Sequence, residues 1–318
     1  MTRVAAVDCG TNSIRLLICE VQEDGKIRDI VRTMEIVRLG QGVDATGEFA
    51  AEALERTRVA LEGYVQQMKF ENVKRVRMVA TSATRDVKNQ REFFDMAAQL
   101  LGQIQQGAQA EVITGEEEAL LSFKGAVTDL ASHKGPFCVI DLGGGSTEFV
   151  VGTAEGEILG AHSAQMGCVR LTERIMRTDP PTEAEIEIAA DYVEQRMQEV
   201  EKIVPISDAQ TFVGCAGTFT TLSALAQGLE RYDADAIHGS ELRFDALRVL
   251  TRQLMGVPSD VRALNPVIHP GRADVIGGGS VAVEGIIRMI ERNSDAKSFF
   301  ISEKDILDGI VVGIAADL

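Results

Sequence analysis

The strongest constraint on how this chain can fold is a short pattern that occurs twice. Asp8-Cys-Gly-Thr-Asn-Ser13 and Asp141-Leu-Gly-Gly-Gly-Ser146 place aspartate, glycine and serine at one offset of 133 residues. The likeness continues: Asp24-Gly25-Lys26-Ile27 answers Glu155-Gly156-Glu157-Ile158, and Val37-Arg38-Leu39 answers Val169-Arg170-Leu171, with the offset drifting by one or two residues. A loop, a hairpin turn and a third-strand tail in the same order imply two related domains, each opening with a β-meander. Length agrees, because 318 residues are more than one core usually holds.

The second copy carries more chemistry. Phe137-Cys-Val-Ile140, bounded by Gly135-Pro136, reads as a short buried strand with Asp141 at its end, and a strand resumes at Phe149-Val-Val151. Between them Gly143, Gly144 and Gly145 permit a tight turn whose N–H groups can approach an anion with no Cβ in the way, while Ser146 and Thr147 add hydroxyl donors. Glycine turns commonly do no more than connect strands. The nearby carboxylates Asp141 and Glu148, and the repeat of the loop at Gly10, Thr11, Asn12 and Ser13, point instead to phosphate. Asp141 and Glu148, with Asp8 facing them, are candidates to hold a divalent ion directly or through water. Mg²⁺ suits such a set because it takes carboxylate and phosphate oxygens while keeping several waters, and Mn²⁺ is the other option.

Elsewhere the periodicity predicts strands over Arg3 to Glu20 and Lys26 to Leu39, and a helix over 50–68 with Leu54, Leu61, Val65 and Met68 on its core face. The strand Arg75 to Ala80 delivers Thr81, Ser82 and Arg85 at its carboxyl end, the edge where open α/β sheets bind ligands. Arg85 stands out because a guanidinium can hold two phosphate oxygens; an ordinary helix-start arginine is the alternative. A helix is expected over 92–101, a strand over 111–113, and another helix from Thr114-Gly-Glu-Glu-Glu118-Ala to about Val127. Glutamates at a helix start gain about 0.3–1 kcal/mol each from the helix dipole, which accounts for Glu116 and Glu117 without function. Strands then run to Leu171, and a long packing helix covers 182–204. Thr211 to Val213 feeds Gly214-Cys-Ala-Gly217-Thr218, either a second phosphate or nucleotide contact at a helix start or a structural turn. Residues 228–242 read as a mobile polar loop, with His238 a lone histidine. Ile276-Gly-Gly-Gly-Ser280 lacks the strand and aspartate of the first loop, and the run 281–290 behind it reads as a helix packed closely through its glycines. A strand at 299–301 and a helix at 308–317 follow.

Taken together, the two loops, Ala80-Thr-Ser-Ala-Thr-Arg85-Asp86, Gly115-Glu-Glu-Glu-Ala119 and Gly214-Cys-Ala-Gly-Thr218 resemble the exopolyphosphatase and guanosine pentaphosphate phosphohydrolase family, from Val4 to about Gly309. That family belongs to the actin, sugar kinase and heat-shock chaperone fold group. The resemblance implies an α/β chain of two actin-like, ribonuclease H-like domains flanking a cleft. The first would span 1–127, with a C-terminal helix of about 305–318 returning to it, and the second 128–304. It further implies that Glu118, the glutamate directly before alanine, is the catalytic residue that activates water, aided by Arg85 and Glu148. Gly217 and Thr218 would face the cleft, and Arg272 and Asp274 would lie at its margin, a buried structural ion pair being the alternative for the last two. Homodimerisation, and likeness to the short two-domain members, also follow from the resemblance.

The activity expected is metal-dependent removal of the terminal phosphate of inorganic polyphosphate. Guanosine pentaphosphate (pppGpp) 5′-phosphohydrolase is the nearest alternative; an ATP-dependent kinase and an actin-like nucleotide-binding filament or sensor module are others. A formal net charge of −16 repels polyanions on average, which disfavours nucleic acid and favours short polyphosphates, provided Arg15, Arg38, Arg85, Arg170 and Arg272 gather near the cleft. No apolar run reaches the ~18 residues of a membrane span, and Asp8 interrupts the first apolar stretch too early for a signal peptide. Cys9, Cys19, Cys138, Cys168 and Cys215 lack CxxC or zinc spacing, consistent with buried free thiols in a reducing cytoplasm.

Overall fold

The computed structural model describes residues 1–85, 87–130 and 133–318; Asp86, the last residue of the Ala80 to Asp86 motif, lies outside them. The chain divides into two compact units, Met1–Leu121 with Ile306–Leu318, and Ser122–Asp305.

The first unit opens with the expected meander, β1 (Thr2–Cys9), β2 (Ser13–Val21) and β3 (Ile27–Ile36), followed by α1 (Val43–Thr46), α2 (Ala51–Phe70), β4 (Arg75–Ala80), α3 (Gln90–Leu101), β5 (Ala110–Val112) and the start of α4 (Gly115–Ala126). The sheet order is β3-β2-β1-β4-β5, antiparallel within the meander and parallel from β1 through β4 to β5. Strand β1 is buried on both faces, which its nearly continuous apolar run Val4 to Val7 dictates. On one face α2 seats Leu61, Tyr64, Val65 and Met68 beside Phe93 and Leu101 of α3.

The second unit runs through β6 (Phe137–Leu142), β7 (Thr147–Gly152), β8 (Ile158–Ala164), α5 (Cys168–Arg174), α6 (Glu183–Ile203), β9 (Thr211–Cys215), α7 (Ala216–Ala226), α8 (Ala234–Ile237), β10 (Glu241–Arg243), α9 (Phe244–Met255), α10 (Ser259–Arg262), α11 (Ile276–Asn293) and β11 (Ser298–Ser302). Its sheet order is β10-β11-β9-β6-β7-β8, so a β-meander flanked by parallel strands recurs. The helix α6 starts at a complete capping box, in which Thr182 and Glu185 satisfy each other's backbone N–H groups. The chain closes with α12 (Ile306–Ala316). This helix covers the other face of the first sheet, where Ile306, Leu307, Ile310, Val311 and Ile314 meet Val4, Ala6, Leu17, Cys19 and Val79. Gly309 lets the same helix lie close against α4, since a Cβ there would stand 2.0 Å from the Leu121 carbonyl oxygen.

Two expectations need correction, and a third, the helix packed through its glycines, holds with an earlier start. Val169 to Leu171 is helical, not a strand tail, and β3 likewise ends at Ile36, before Val37 to Leu39. In both units these segments leave the sheet so that their N–H groups can bond the first turn. The stretch 228–242 holds α8, capped by the Asp233 side chain, and β10. The second glycine run lies inside α11: a Cβ on Gly278 would be 2.6 Å from the Cys168 carbonyl oxygen and one on Gly279 2.6 Å from Thr218 Oγ1.

Candidate functional site

The repeated loops have the same construction. In the first unit the N–H of Gly10 donates to the Ser13 carbonyl at 2.9 Å; in the second, the N–H of Gly143 donates to the Ser146 carbonyl at 3.1 Å. Each loop is then tied down by the segment after its third strand. Val37 and Arg38 both donate to the Asn12 carbonyl, at 3.1 and 2.8 Å, and Gly40 donates to that of Thr11 at 2.8 Å. Correspondingly, Val169 and Arg170 both donate to the Gly144 carbonyl, at 2.9 and 3.1 Å, and Cys168 donates to that of Gly143 at 3.0 Å. Even the distal hairpins match, with Gly25 and Gly156 at φ 81° and 91°, conformations that glycine adopts at little cost.

What differs is the charge at the base of each loop. Asp8 and Arg15 are cross-strand partners, and Arg15 donates from Nε and Nη2 to Asp8 Oδ2 at 3.0 and 2.7 Å. At the equivalent positions of the second unit, Asp141 faces Glu148. Directly opposed residues on adjacent strands stand about 4.5–5.5 Å apart at Cβ, and like charges there repel. Both are buried, at 7% and 1% exposure. Ser122 Oγ donates to Asp141 Oδ2 at 2.5 Å and Ser163 Oγ to Glu148 Oε1 at 2.7 Å. This all-oxygen set suits a hard divalent cation such as Mg²⁺. No group of three or more His, Cys, Asp or Glu side chains suited to a metal comes together among the described residues, so water and phosphate would complete its shell. Asp8 is thus placed on Arg15, in the other unit.

The other candidates fall as follows. Arg85, just after β4, donates from Nε to the Ile113 carbonyl at 3.0 Å and forms a close ion pair with Glu118 of α4. The two residues are therefore brought together, with the guanidinium anchored by a backbone acceptor. Glu117 faces Arg77 at 2.8 Å, in keeping with a structural role for it. Thr147 is fully buried and its hydroxyl donates to the Met166 carbonyl at 2.6 Å, so it braces the loop from beneath. The side-chain oxygen of Asn12 is buried and has no hydrogen-bond partner among the described residues, as expected of a polar atom built to meet something else. Thr11 and Ser146 are buried as well.

Gly217 and Thr218 sit in the first turn of α7, which begins at Ala216 with φ 69°. A Cβ on Gly217 would be 2.4 Å from Arg272 Cζ, so that guanidinium lies flat against the helix start. His238 is occupied: its Nδ1 accepts the Glu303 N–H at 3.2 Å and its Nε2 stands 3.4 Å from Asp129, which also binds Lys304 at 2.6 Å. All five cysteines are free and buried. Burial pushes the Cys168 thiol up to about 11, although it adjoins the glycine loop, so it stays neutral near pH 7. Sequence reasoning missed the serines: Ser122 sits mid-helix and Ser163 near the end of β8 with no motif around them, and only the fold brings them to the carboxylates.

A model of the Ppx/GppA phosphatase family matches residues 17–314. The chain is 52% identical to exopolyphosphatase 2 of Mycobacterium tuberculosis over 99% of each chain. It is 31% identical to the guanosine-5′-triphosphate,3′-diphosphate pyrophosphatase of Vibrio parahaemolyticus over 71% of this chain and 44% of that protein. Among solved structures, an exopolyphosphatase-like protein superposes with a TM-score of 0.92 at 38% identity, covering 99% of both chains. The chain therefore belongs to the Ppx/GppA phosphatase family.

Proposed function

We propose that this protein is a metal-dependent exopolyphosphatase that hydrolyses the terminal phosphoanhydride bond of inorganic polyphosphate, releases orthophosphate and favours short chains. The observation that carries the reading is the opposed Asp141 and Glu148 pair at the base of a glycine hairpin, in a chain 52% identical to an exopolyphosphatase. Each of the two compact units serves as an actin-like domain. The loops at Gly10 to Ser13 and Gly143 to Ser146, with Gly217 and Thr218, grip phosphate oxygens through backbone N–H and hydroxyl donors, while Thr147 braces the second loop through the Met166 carbonyl. Asp141 and Glu148, aided by Asp8, hold Mg²⁺ or Mn²⁺, which compensates charge on the phosphates. Arg85 offsets charge on the transferred group and, through its ion pair, orients Glu118. Glu118 in turn aligns the attacking water. Placement and charge compensation of this kind supply most of the catalysis in phosphoryl transfer.

Phosphate release from short polyphosphate, long polyphosphate, guanosine pentaphosphate and ATP, each with Mg²⁺ and with chelator, tests the reading. The expected outcome is metal-dependent release from polyphosphate that Glu118→Gln lowers by about 10²–10⁴-fold in kcat without unfolding the protein. A loss below tenfold removes Glu118 from its role, and release confined to guanosine pentaphosphate moves the substrate to the second reading, which the Vibrio relative favours. Five buried free thiols support a cytoplasmic setting. The homodimer implied by the resemblance is checked by sedimentation, where a monomer at micromolar concentration refutes it.

A further inference from the structure

We propose that Arg170 is a positioning residue that turns the third amide of the second glycine loop toward substrate phosphate, an inference that rests on the exopolyphosphatase reading above. A trans peptide points its C=O and the following N–H in opposite directions. The carbonyls of Gly143 and Gly144 are held from one side by the N–H groups of Cys168, Val169 and Arg170 at the start of α5. The N–H groups of Gly144 and Gly145 are thereby turned the other way. The next carbonyl, that of Gly145, lies beyond these backbone donors. Arg170 supplies the missing donor with its side chain, since Nε donates to the Gly145 carbonyl at 2.7 Å while Nη2 reaches Gln165 Oε1 at 3.3 Å. The bond fixes the Gly145 to Ser146 peptide so that the Ser146 N–H joins the other two on the opposite face. Three convergent amides form an anion-binding concavity.

The first unit shows why a side chain is needed here. There backbone donors reach one residue further, because the Thr11 carbonyl is covered by Gly40 and the Asn12 carbonyl, the counterpart of that of Gly145, by Val37 and Arg38. In the second loop, glycine at 145 puts no side chain in the way of rotation of the Gly145 to Ser146 peptide, whose carbonyl lies beyond those backbone donors. A charge-assisted bond to a carbonyl is stronger than a neutral one, and it holds the plane that glycine would let turn.

The test is steady-state hydrolysis of tripolyphosphate, with inhibition by inorganic phosphate, for wild type, Arg170→Met and Arg170→Lys. Methionine keeps much of the apolar stem and removes the donors; lysine can still reach the Gly145 carbonyl. Arg170→Met is expected to raise KM and the phosphate inhibition constant together by about tenfold, the worth of one hydrogen bond from a charged donor, while kcat changes by less than about threefold. Arg170→Lys should restore most of the loss. A merely structural arginine would lower the melting temperature and active fraction without moving KM. Unchanged KM and inhibition constant in Arg170→Met, or a fall in kcat alone, overturns the proposal while leaving the hydrolase reading intact. A wild-type protein that releases no phosphate from tripolyphosphate or guanosine pentaphosphate overturns that reading, and the role of Arg170 falls with it.

Discussion

Gly167 is the position where one added methyl group should do most damage. Its backbone is extended, at φ −157° and ψ 166°, a conformation any residue adopts, so substitution adds no backbone strain. The obstacle is steric. A Cβ would stand 2.4 Å from both C and O of Gly144 and 2.6 Å from N of Gly145. Carbon contacts settle near ~3.5 Å, so Gly167→Ala must drive the loop away by about 1 Å. These are backbone atoms held by the start of α5 and by Arg170, with no rotamer to give way. Overpacking of this kind costs roughly 1–3 kcal/mol, which lowers the melting temperature of a unit this size by about 3–10 °C. A 1 Å misplacement of positioning groups can cost about 10²-fold in rate, so kcat/KM should fall by tens to a hundredfold. Differential scanning calorimetry and phosphate release measure the two effects. Gly313→Ala is the control: it lies within α12 with nothing within 4 Å of its would-be Cβ, and should stabilise by about 0.5–1 kcal/mol. Gly167→Ala with wild-type melting and wild-type kcat/KM would refute the packing argument.

Two further outcomes test the framework around the site. Arg262, at 3% exposure, donates to the carbonyls of Leu254, Val257 and Ala273 at 2.7–3.0 Å. Arg262→Met leaves those acceptors unsatisfied and should cost about 3–5 kcal/mol in urea unfolding; a change under about 1 kcal/mol contradicts it. Glu185 is pulled down to about 2 by the Thr178 hydroxyl and then by the Thr182 N–H. Because its folded value lies below the unfolded one, its contribution is complete above about pH 4.5 and fades as pH falls toward 2. The melting deficit of Glu185→Gln at pH 6 should therefore shrink by pH 3, and a deficit constant across that range argues against the assignment.

Much of the architecture could be read from residues because duplication supplied an internal standard. The constant offset between Asp8 and Asp141 predicted two meanders, and the structure reproduces them down to one turn hydrogen bond in each. The Val37 and Val169 correspondence was real, but its meaning lay in N–H donors rather than strands. A three-residue stretch has too little periodicity to tell a strand end from a helix start. The helix α9 was overlooked because Thr251 interrupts the apolar stripe of Phe244, Leu247 and Leu254, though its hydroxyl is satisfied by the Leu247 carbonyl and by Glu284. Arg85 and Glu118 each carried a signal as candidates for substrate and water. Their bond to one another, across 33 residues of sequence, had none.

The return of α12 to the first unit sets an order of events during synthesis. Ile306 to Ile314 leave the ribosome only after the whole of Ser122–Asp305, at common elongation rates roughly ten seconds or more after the meander they must cover. In that interval one face of the first sheet, with Val4, Leu17 and Val79, lacks its partner helix, whereas the second unit is continuous in sequence and can close by itself. The half of the protein made first is therefore completed last, and its exposed sheet is where a nascent chain would most need a chaperone.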